Sequence, residues 1–200
     1  QSGGQALLND SGKVEVITLS TCLNRDCPDI PRPTKNNIRA VFDAFAKKAR
    51  PEDVFMLYLS GHGKVYEDYF YYLTQDMGSD YLGDNAIRQQ YAISSAEFAE
   101  WLNAIPARKQ VMMIDACASG QFNKDLALLA MKNIPSSQIR ALDRLRDRTG
   151  IYIISGSAND QASYEASPYG MGLLTYSLLS GMSGGALRED EYMDVEQLFQ

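Results

Sequence analysis

Long apolar runs and basic charge are both scarce in this 200-residue sequence. No stretch of about 18 apolar residues occurs, so we expect no membrane span. The first five residues lack the charged and apolar regions of a signal peptide, so no export signal is expected. Lys and Arg number 19 against 25 Asp and Glu, a net charge of −6. This balance argues against nucleic acid or an anionic membrane as a partner and would suit a basic substrate.

Thiol and imidazole side chains are also scarce, with three cysteines and one histidine. Three cysteines are too few for a disulfide framework, which fits a reducing compartment and predicts a cytoplasmic location. Cys22 and Cys27 share a proline-rich loop and are predicted to be unpaired thiols, with a local disulfide or half of a zinc site as alternatives. No second Cys/His pair completes four zinc ligands, so we predict no metal or cofactor. A calcium dependence supplied by Asp76, Asp80 and Asp84 stays an alternative, although their segment lacks the register of a known calcium loop.

Apolar strands alternating with amphipathic helices make up most of the sequence. Strands are predicted over residues 13–19, 53–60, 69–74, 111–116 and 151–155, and helices over 35–50, 95–105, 172–182 and 194–200. Thr34 is the predicted N-cap of the first helix, and Ser94 with Glu97 is predicted to form a capping box at the second. Residues 75–90 are predicted to form an irregular polar loop, and Trp101 is predicted to be a core residue. A strand, helix, strand order favours parallel strands joined by right-handed crossovers. We therefore predict an α/β fold, a three-layer sandwich with a mostly parallel sheet.

Two of these strands are followed by chemically reactive residues. The 53–60 strand leads into a Gly-His-Gly turn that carries His62, and the 111–116 strand leads into Cys117. Sites in parallel α/β sheets form beyond the carboxyl ends of the strands, so neighbouring strands would bring these two side chains together. A cysteine attacks as its thiolate, and an imidazole can hold that state and then protonate a leaving amine. Backbone N–H groups at Gly63 and Cys117 would be natural oxyanion donors.

The joint context of these residues is more informative than either residue alone. A buried thiol after an apolar run is more often an inert core side chain, and a lone histidine in a glycine turn is more often structural. Here the histidine comes first and the separation is 117 − 62 = 55 residues. The motifs Ser60-Gly61-His62-Gly63 and Asp115-Ala116-Cys117-Ala118-Ser119-Gly120 resemble the two catalytic motifs of caspase-like cysteine peptidases. The resemblance is to the metacaspase and bacterial orthocaspase branch and covers most of the chain, including residues 155–161 and 164–166.

This resemblance implies a caspase-like fold and cleavage of peptide bonds. Cys117 would be the nucleophile, His62 its acid/base partner and Gly63 a backbone oxyanion donor. By the same resemblance, Asp115 and Ser60 would bind arginine or lysine at P1, the substrate residue before the cleaved bond.

The residues themselves agree with that specificity. A carboxylate two residues before the nucleophile shares its strand face, and it would attract a cation. Asp160 is a second candidate for the pocket, with a turn role as its alternative. The expected partner is therefore a polypeptide substrate with a basic P1 residue.

A single caspase-like domain is predicted over residues 1–200, with a large-subunit-like part over about 1–135 and a small-subunit-like part over about 150–200. By the resemblance, a first strand and helix precede the 13–19 strand, and we expect a missing N-terminal segment or a separate chain to complete the domain. The domain is also expected to be truncated at its other end, inside the 194–200 helix. Self-cleavage is a further hypothesis, after one of the arginines Arg140, Arg144, Arg146 and Arg148.

Two other classes of protein are weighed against the peptidase. One is an inactive caspase-homology scaffold used for interactions, which the presence of both His62 and Cys117 disfavours. The other is a redox-active or flavodoxin-like binding domain. That class would want a Cys-x-x-Cys motif or a phosphate-cradling glycine loop, and the sequence has neither.

Overall fold

A computed structural model describes residues 14–21, 29–67, 69–78, 81–116, 151–155, 165–166, 171–181, 187–188 and 192–193. Its helices are α1 (Lys35–Lys48), α2 (Asn85–Tyr91), α3 (Ser95–Ala104) and α4 (Leu173–Ser180). Its strands are β1 (Val54–Tyr66), β2 (Tyr69–Leu73), β3 (Ala92–Ser94), β4 (Lys109–Ala116), β5 (Ile151–Ser155), β6 (Glu165–Ala166), β7 (Met171–Gly172), β8 (Leu187–Arg188) and β9 (Tyr192–Met193).

The main sheet has the strand order β3-β2-β1-β4-β5. Strands β1, β4 and β5 are parallel, whereas β2 and β3 are antiparallel to their neighbours. The mixed character arises because β2 follows β1 directly as a hairpin, and a short connection can join only antiparallel strands. The predicted α/β fold with a mostly parallel sheet is confirmed, including the strands predicted over 69–74 and 151–155.

Two helices, α1 and α3, cover one face of the sheet and enclose the aromatic core. Phe42 of α1 lies 6.0 Å from Phe55 of β1 and 5.3 Å from Trp101 of α3, measured between ring centroids. Trp101 is only 4% exposed, which confirms its predicted place in the core. The α4 helix lies against the opposite face, where its Thr175 contacts Tyr58 of β1. Helices on both faces confirm the predicted three-layer arrangement.

Local capping signals set the starts of the first and third helices, as the sequence predicts. The Thr34 hydroxyl accepts a hydrogen bond from the Asn37 backbone N–H at the start of α1. At α3, the Ser94 hydroxyl accepts from the Glu97 N–H, and the Glu97 carboxylate accepts from the Ser94 N–H. Such a reciprocal capping box satisfies two backbone donors that have no partner inside the helix.

A buried amide fixes where β4 begins relative to α3. The Gln110 Nε2 donates to the carbonyls of Leu102, Ile105 and Ala107 at 3.1, 3.3 and 3.2 Å. These carbonyls belong to the end of α3 and the turn after it, and carbonyls at a helix end have no partner within the helix. Because Gln110 is 4% exposed, its amide replaces water there and anchors the start of the strand that leads to Asp115.

The strand predicted over residues 13–19 is wrong. Residues 14–21 have no regular secondary structure, and Val16 is 66% exposed. A strand forms only when a neighbour satisfies its backbone N–H and C=O groups. Here residues 17–21 are separated from the edge of β1 by a cleft, so no ladder joins the two segments. The β-branched residues of this stretch favour a strand, but no described segment pairs with them to form one.

The loop predicted over residues 75–90 contains a helix, α2. Its N-cap is Asp84, whose Oδ1 accepts from the backbone N–H groups of Ala86 and Ile87 at 2.8 and 3.2 Å. A carboxylate at this position stabilises a helix that has no apolar stripe of its own. Periodicity therefore missed α2, although its capping residue was visible in the sequence.

Among the helices of the described residues, none has the length and apolar character needed to cross a membrane. Several predictions fall outside the described residues: the loop thiols Cys22 and Cys27, the arginines between 140 and 148, and the helix over 194–200. The predicted helix over 172–182 is found as α4.

Candidate functional site

The predicted end of the strand before His62 is wrong, because β1 continues through His62 to Tyr66. Residues 54–61 pair with β4 in parallel, and residues 62–66 pair with β2 in antiparallel register. Pairing with β2 begins at the residue after the last one that pairs with β4, so the backbone of β1 stays extended instead of turning. The exposed His62 therefore lies at the residue where β1 changes partner.

Close contact with Tyr72 explains the glycine at position 61. Its φ is +156°, and a Cβ added there would lie 2.7 Å from the Tyr72 Oη and 3.2 Å from two carbons of that ring. A Cβ essentially never comes within 3.0 Å of a non-bonded heavy atom of another residue. Only glycine, which has no side chain, fits both the backbone angle and the space.

Tyr72 also holds the residue before that glycine. Its hydroxyl donates to the Ser60 carbonyl at 3.0 Å, across the β1–β2 hairpin. Burial, with a smaller effect from the neighbouring Tyr58 phenol, raises the pKa of Tyr72 to about 12. The hydroxyl therefore stays protonated and donating at ordinary pH. Sequence reasoning missed this residue, although Phe70 and Tyr72 alternate inward along β2 and signalled a buried aromatic pair.

The parallel register aligns the two catalytic motifs predicted from the sequence. Ser60 pairs with Asp115, and the next residues, Gly61 and Ala116, pair with each other. Neighbouring strands lie about 4.8 Å apart, so the Ser60 and Asp115 backbones are adjacent at the same level of the sheet. Ser60 is exposed, whereas Asp115 is 4% exposed.

The Asp115 carboxylate accepts hydrogen bonds from the first turn of α4. Its Oδ2 accepts from the Thr175 backbone N–H at 3.1 Å and also from the Thr175 hydroxyl. The Thr175 Oγ1 in turn lies 2.5 Å from the Tyr58 hydroxyl. Sequence reasoning missed both hydroxyl partners, because Thr175 lies sixty positions from Asp115 along the chain. The one available signal was a threonine in the first turn of a helix that carries no charged residue.

An open cleft of about 1010 Å³ runs along β1 at this level. Its walls include residues 17–21, residues 57–62 and Tyr72, so both Ser60 and His62 lie on its border. Such a volume lies at the upper end of the range of small-molecule sites.

Four of the six predicted site residues lie in the described part of β1 and β4: Ser60 and Asp115 are register partners, and His62 and Gly63 follow Ser60 along β1. Gly63 is opposite Tyr72 in the β1–β2 register. Its role as an oxyanion donor stays a prediction. Cys117 and Asp160 lie outside the described residues, and Cys117 is the residue that directly follows β4.

The aspartates considered for calcium have other partners where they are described. Asp84 caps α2, and the Asp76 Oδ1 accepts from the Thr74 hydroxyl at 2.7 Å. Within the described ranges, no group of three or more His, Cys, Asp or Glu side chains is arranged to hold a metal ion. Asp80 lies outside those ranges.

Comparison with known proteins assigns the chain to a family. A search of curated proteins finds no match. A family model described as "Caspase domain" matches residues 8–200, nearly the whole sequence. The match includes both aligned motifs and the sheet that carries them, so this chain belongs to the caspase-domain family of cysteine peptidases.

Proposed function

We propose that this chain is a cysteine endopeptidase that cleaves after arginine or lysine, in the manner of the metacaspase and orthocaspase branch. Cys117 is the nucleophile and His62 is its acid/base partner. Asp115 and Ser60 bind the basic P1 side chain, with Asp160 as a second acid. The physiological substrate is a polypeptide, and no metal is assigned to the chemistry.

The β1–β4 register is the observation that supports the pairing of His62 with Cys117. Gly61 and Ala116 are opposite each other. His62 is the next residue of β1, and Cys117 follows Ala116 in the sequence. Consecutive α carbons are about 3.8 Å apart across a trans peptide bond, so a residue that follows a strand stays near its end. We therefore expect the thiol and the imidazole to face the same end of the sheet.

The reaction follows from the chemistry of these two groups. The Cys117 thiolate attacks the carbonyl carbon of the scissile peptide and forms a thioester as the C–N bond breaks. The His62 imidazolium gives its proton to the leaving amine, then accepts one from the water that hydrolyses the thioester. Backbone N–H groups of Gly63 and Cys117 stabilise the oxyanion that forms on the carbonyl oxygen.

Three features of the residues support a basic P1 side chain. Asp115 and Ser60 are register partners, and Ser60 borders the open cleft. A nearly buried carboxylate interacts with a cation in low dielectric, where the attraction exceeds that in water. The net charge of −6 also favours approach of a cationic substrate.

Labelling with an arginyl chloromethyl ketone tests the proposal. Its arginine would occupy the pocket, and the Cys117 thiolate would displace chloride to form a thioether. We expect intact-mass analysis to find one adduct per wild-type chain and none on the Cys117→Ala variant. An aspartyl chloromethyl ketone at the same concentration should react much more slowly.

Two control variants make the result specific. Cys22→Ala and Cys27→Ala remove the other thiols and should both keep the adduct. An adduct that persists in Cys117→Ala would refute the nucleophile assignment. Equal labelling by the arginyl and aspartyl reagents would refute the basic preference, and an unreactive wild-type chain would favour a caspase-homology scaffold.

A further inference from the structure

The first turn of α4 donates hydrogen bonds to the carboxylate of Asp115, which the proposed function assigns to substrate recognition. Thr175 is the third residue of α4, so its backbone N–H belongs to the helix start, where no intrahelical partner exists. The N–H bonds to the Asp115 Oδ2 instead, at 3.1 Å. The positive end of the helix dipole also favours a negative charge at this place.

The direction of the hydroxyl bonds follows from counting protons. The Thr175 hydroxyl has one proton and donates it to the Asp115 Oδ2. Its oxygen must therefore accept at the other contact, where the Tyr58 Oη lies 2.5 Å away, so the Tyr58 hydroxyl donates. The three side chains therefore form a chain of hydrogen bonds with one direction: Tyr58 donates to Thr175, and Thr175 donates to Asp115.

We propose that Thr175 is a positioning residue that fixes the plane of the Asp115 carboxylate for the P1 cation, an inference that rests on the proposed function. Two bonds to one oxygen, from a backbone group and from the side chain of the same residue, restrict rotation of the carboxylate. Thr175 itself touches no substrate. Its effect passes through Asp115, and the helix therefore links the small-subunit-like part of the chain to specificity.

A fixed carboxylate plane matters more to arginine than to lysine. A guanidinium is planar and forms two parallel bonds to a carboxylate, so its affinity depends on the orientation of both oxygens. A lysine ammonium is a compact charge with freely rotating donors and tolerates a rotated carboxylate. Loss of the Thr175 hydroxyl should therefore weaken the binding of arginine more than that of lysine.

Steady-state kinetics of the full 200-residue chain with matched P1-Arg and P1-Lys fluorogenic peptides test this inference. We expect Thr175→Val to raise KM for the arginine peptide about tenfold and for the lysine peptide about threefold, since a hydrogen bond to a charged group is removed. The value of kcat should stay within about twofold, because the bond acts equally on bound substrate and transition state. Thr175→Ser, which retains a hydroxyl, should restore both KM values.

Two further variants keep the test sharp. Thr175→Ala also removes the hydroxyl, suits a helix, and replaces the valine variant if the latter does not fold. Tyr58→Phe removes only the hydrogen bond between Tyr58 and Thr175, so KM for the arginine peptide should rise less in this variant than in Thr175→Val. A KM that is unchanged in Thr175→Val, or that rises equally for both peptides, would overturn the inference.

A fall in KM would overturn it in another way, because the Thr175 contact would then be occluding the carboxylate instead of orienting it. Failure of the proposed function would look different: the wild-type chain would cleave neither basic peptide. A wild type that cleaves the arginine peptide, with Thr175 variants that behave identically to it, would remove only the positioning role.

Discussion

Substituting Gly61 with alanine should destabilise the fold through a contact that the structure defines atom by atom. The new Cβ would meet the Tyr72 Oη at 2.7 Å and two ring carbons at 3.2 Å. The ring has little room to move, because Tyr72 is 6% exposed and packs edge-on against Phe98 with 6.4 Å between centroids. Its hydroxyl is also held by the Ser60 carbonyl at 3.0 Å.

Two costs combine at this position. Forcing an extra carbon into a packed core costs about 1–3 kcal/mol. A side chain at a φ of +156° adds backbone strain, of order 1–3 kcal/mol. We therefore expect Gly61→Ala to lower the free energy of unfolding by roughly 2–6 kcal/mol. Because His62 is the next residue, kcat should fall as well.

Urea unfolding followed by circular dichroism measures this change as a shift in the transition midpoint at constant slope. Gly78→Ala is the matched control, because a Cβ there meets no atom within 4 Å. It should be neutral or stabilise by up to about 1 kcal/mol. In a Tyr72→Phe background the 2.7 Å contact is gone, so the cost of Gly61→Ala should fall by about 1 kcal/mol. Equal effects of Gly61→Ala and Gly78→Ala would refute the close-contact explanation.

Three other predictions follow from the structure and the sequence. Burial raises the pKa of Tyr72 to about 12, so the native state holds that proton more tightly than the unfolded chain. The stabilisation that protonated Tyr72 provides should be fully present below about pH 10 and be lost as the pH rises through about 12. The free energy of unfolding should therefore fall between these values by about 2 kcal/mol more in wild type than in Tyr72→Phe, and parallel unfolding profiles of the two proteins would contradict this. Asp84→Ala should cost about 1 kcal/mol in urea unfolding because α2 loses its N-cap, and an unchanged midpoint would argue against that role. Self-cleavage among residues 140–148 predicts fragments by mass spectrometry for wild type and an intact Cys117→Ala chain, whereas identical masses would remove the idea.

Local signals in the sequence predicted the elements whose stability is local. Thr34 and the Ser94–Glu97 pair mark helix starts correctly, because a cap depends on residues three positions apart. The 13–19 strand failed because a strand needs a neighbour, and no sequence window reveals whether that neighbour is present. The Gly-His-Gly segment was predicted to be a turn because glycine usually punctuates strands, yet its pairing with β2 keeps it extended.

The candidate site also has features that the sequence could predict and features that depend on tertiary packing. The positions of Ser60 and Asp115 at one level of the sheet could be predicted from two apolar runs that end in motifs of a known family. Thr175 and Tyr58 could not be predicted as partners of Asp115, because tertiary packing alone brings α4 to that face. Tyr72 was predictable as a core residue but not as the hydrogen-bond donor to Ser60.

The central claim is basic-specific cleavage by Cys117, and kcat/KM for paired P1-Arg and P1-Asp fluorogenic peptides tests it most directly. Pairing a basic side chain with the Asp115 carboxylate should favour the arginine peptide by at least about thirtyfold, equivalent to about 2 kcal/mol. Turnover should vanish in Cys117→Ala, and the preference should shrink in Asp115→Asn. Preferential cleavage of the aspartate peptide, or turnover that survives in Cys117→Ala, would contradict the account.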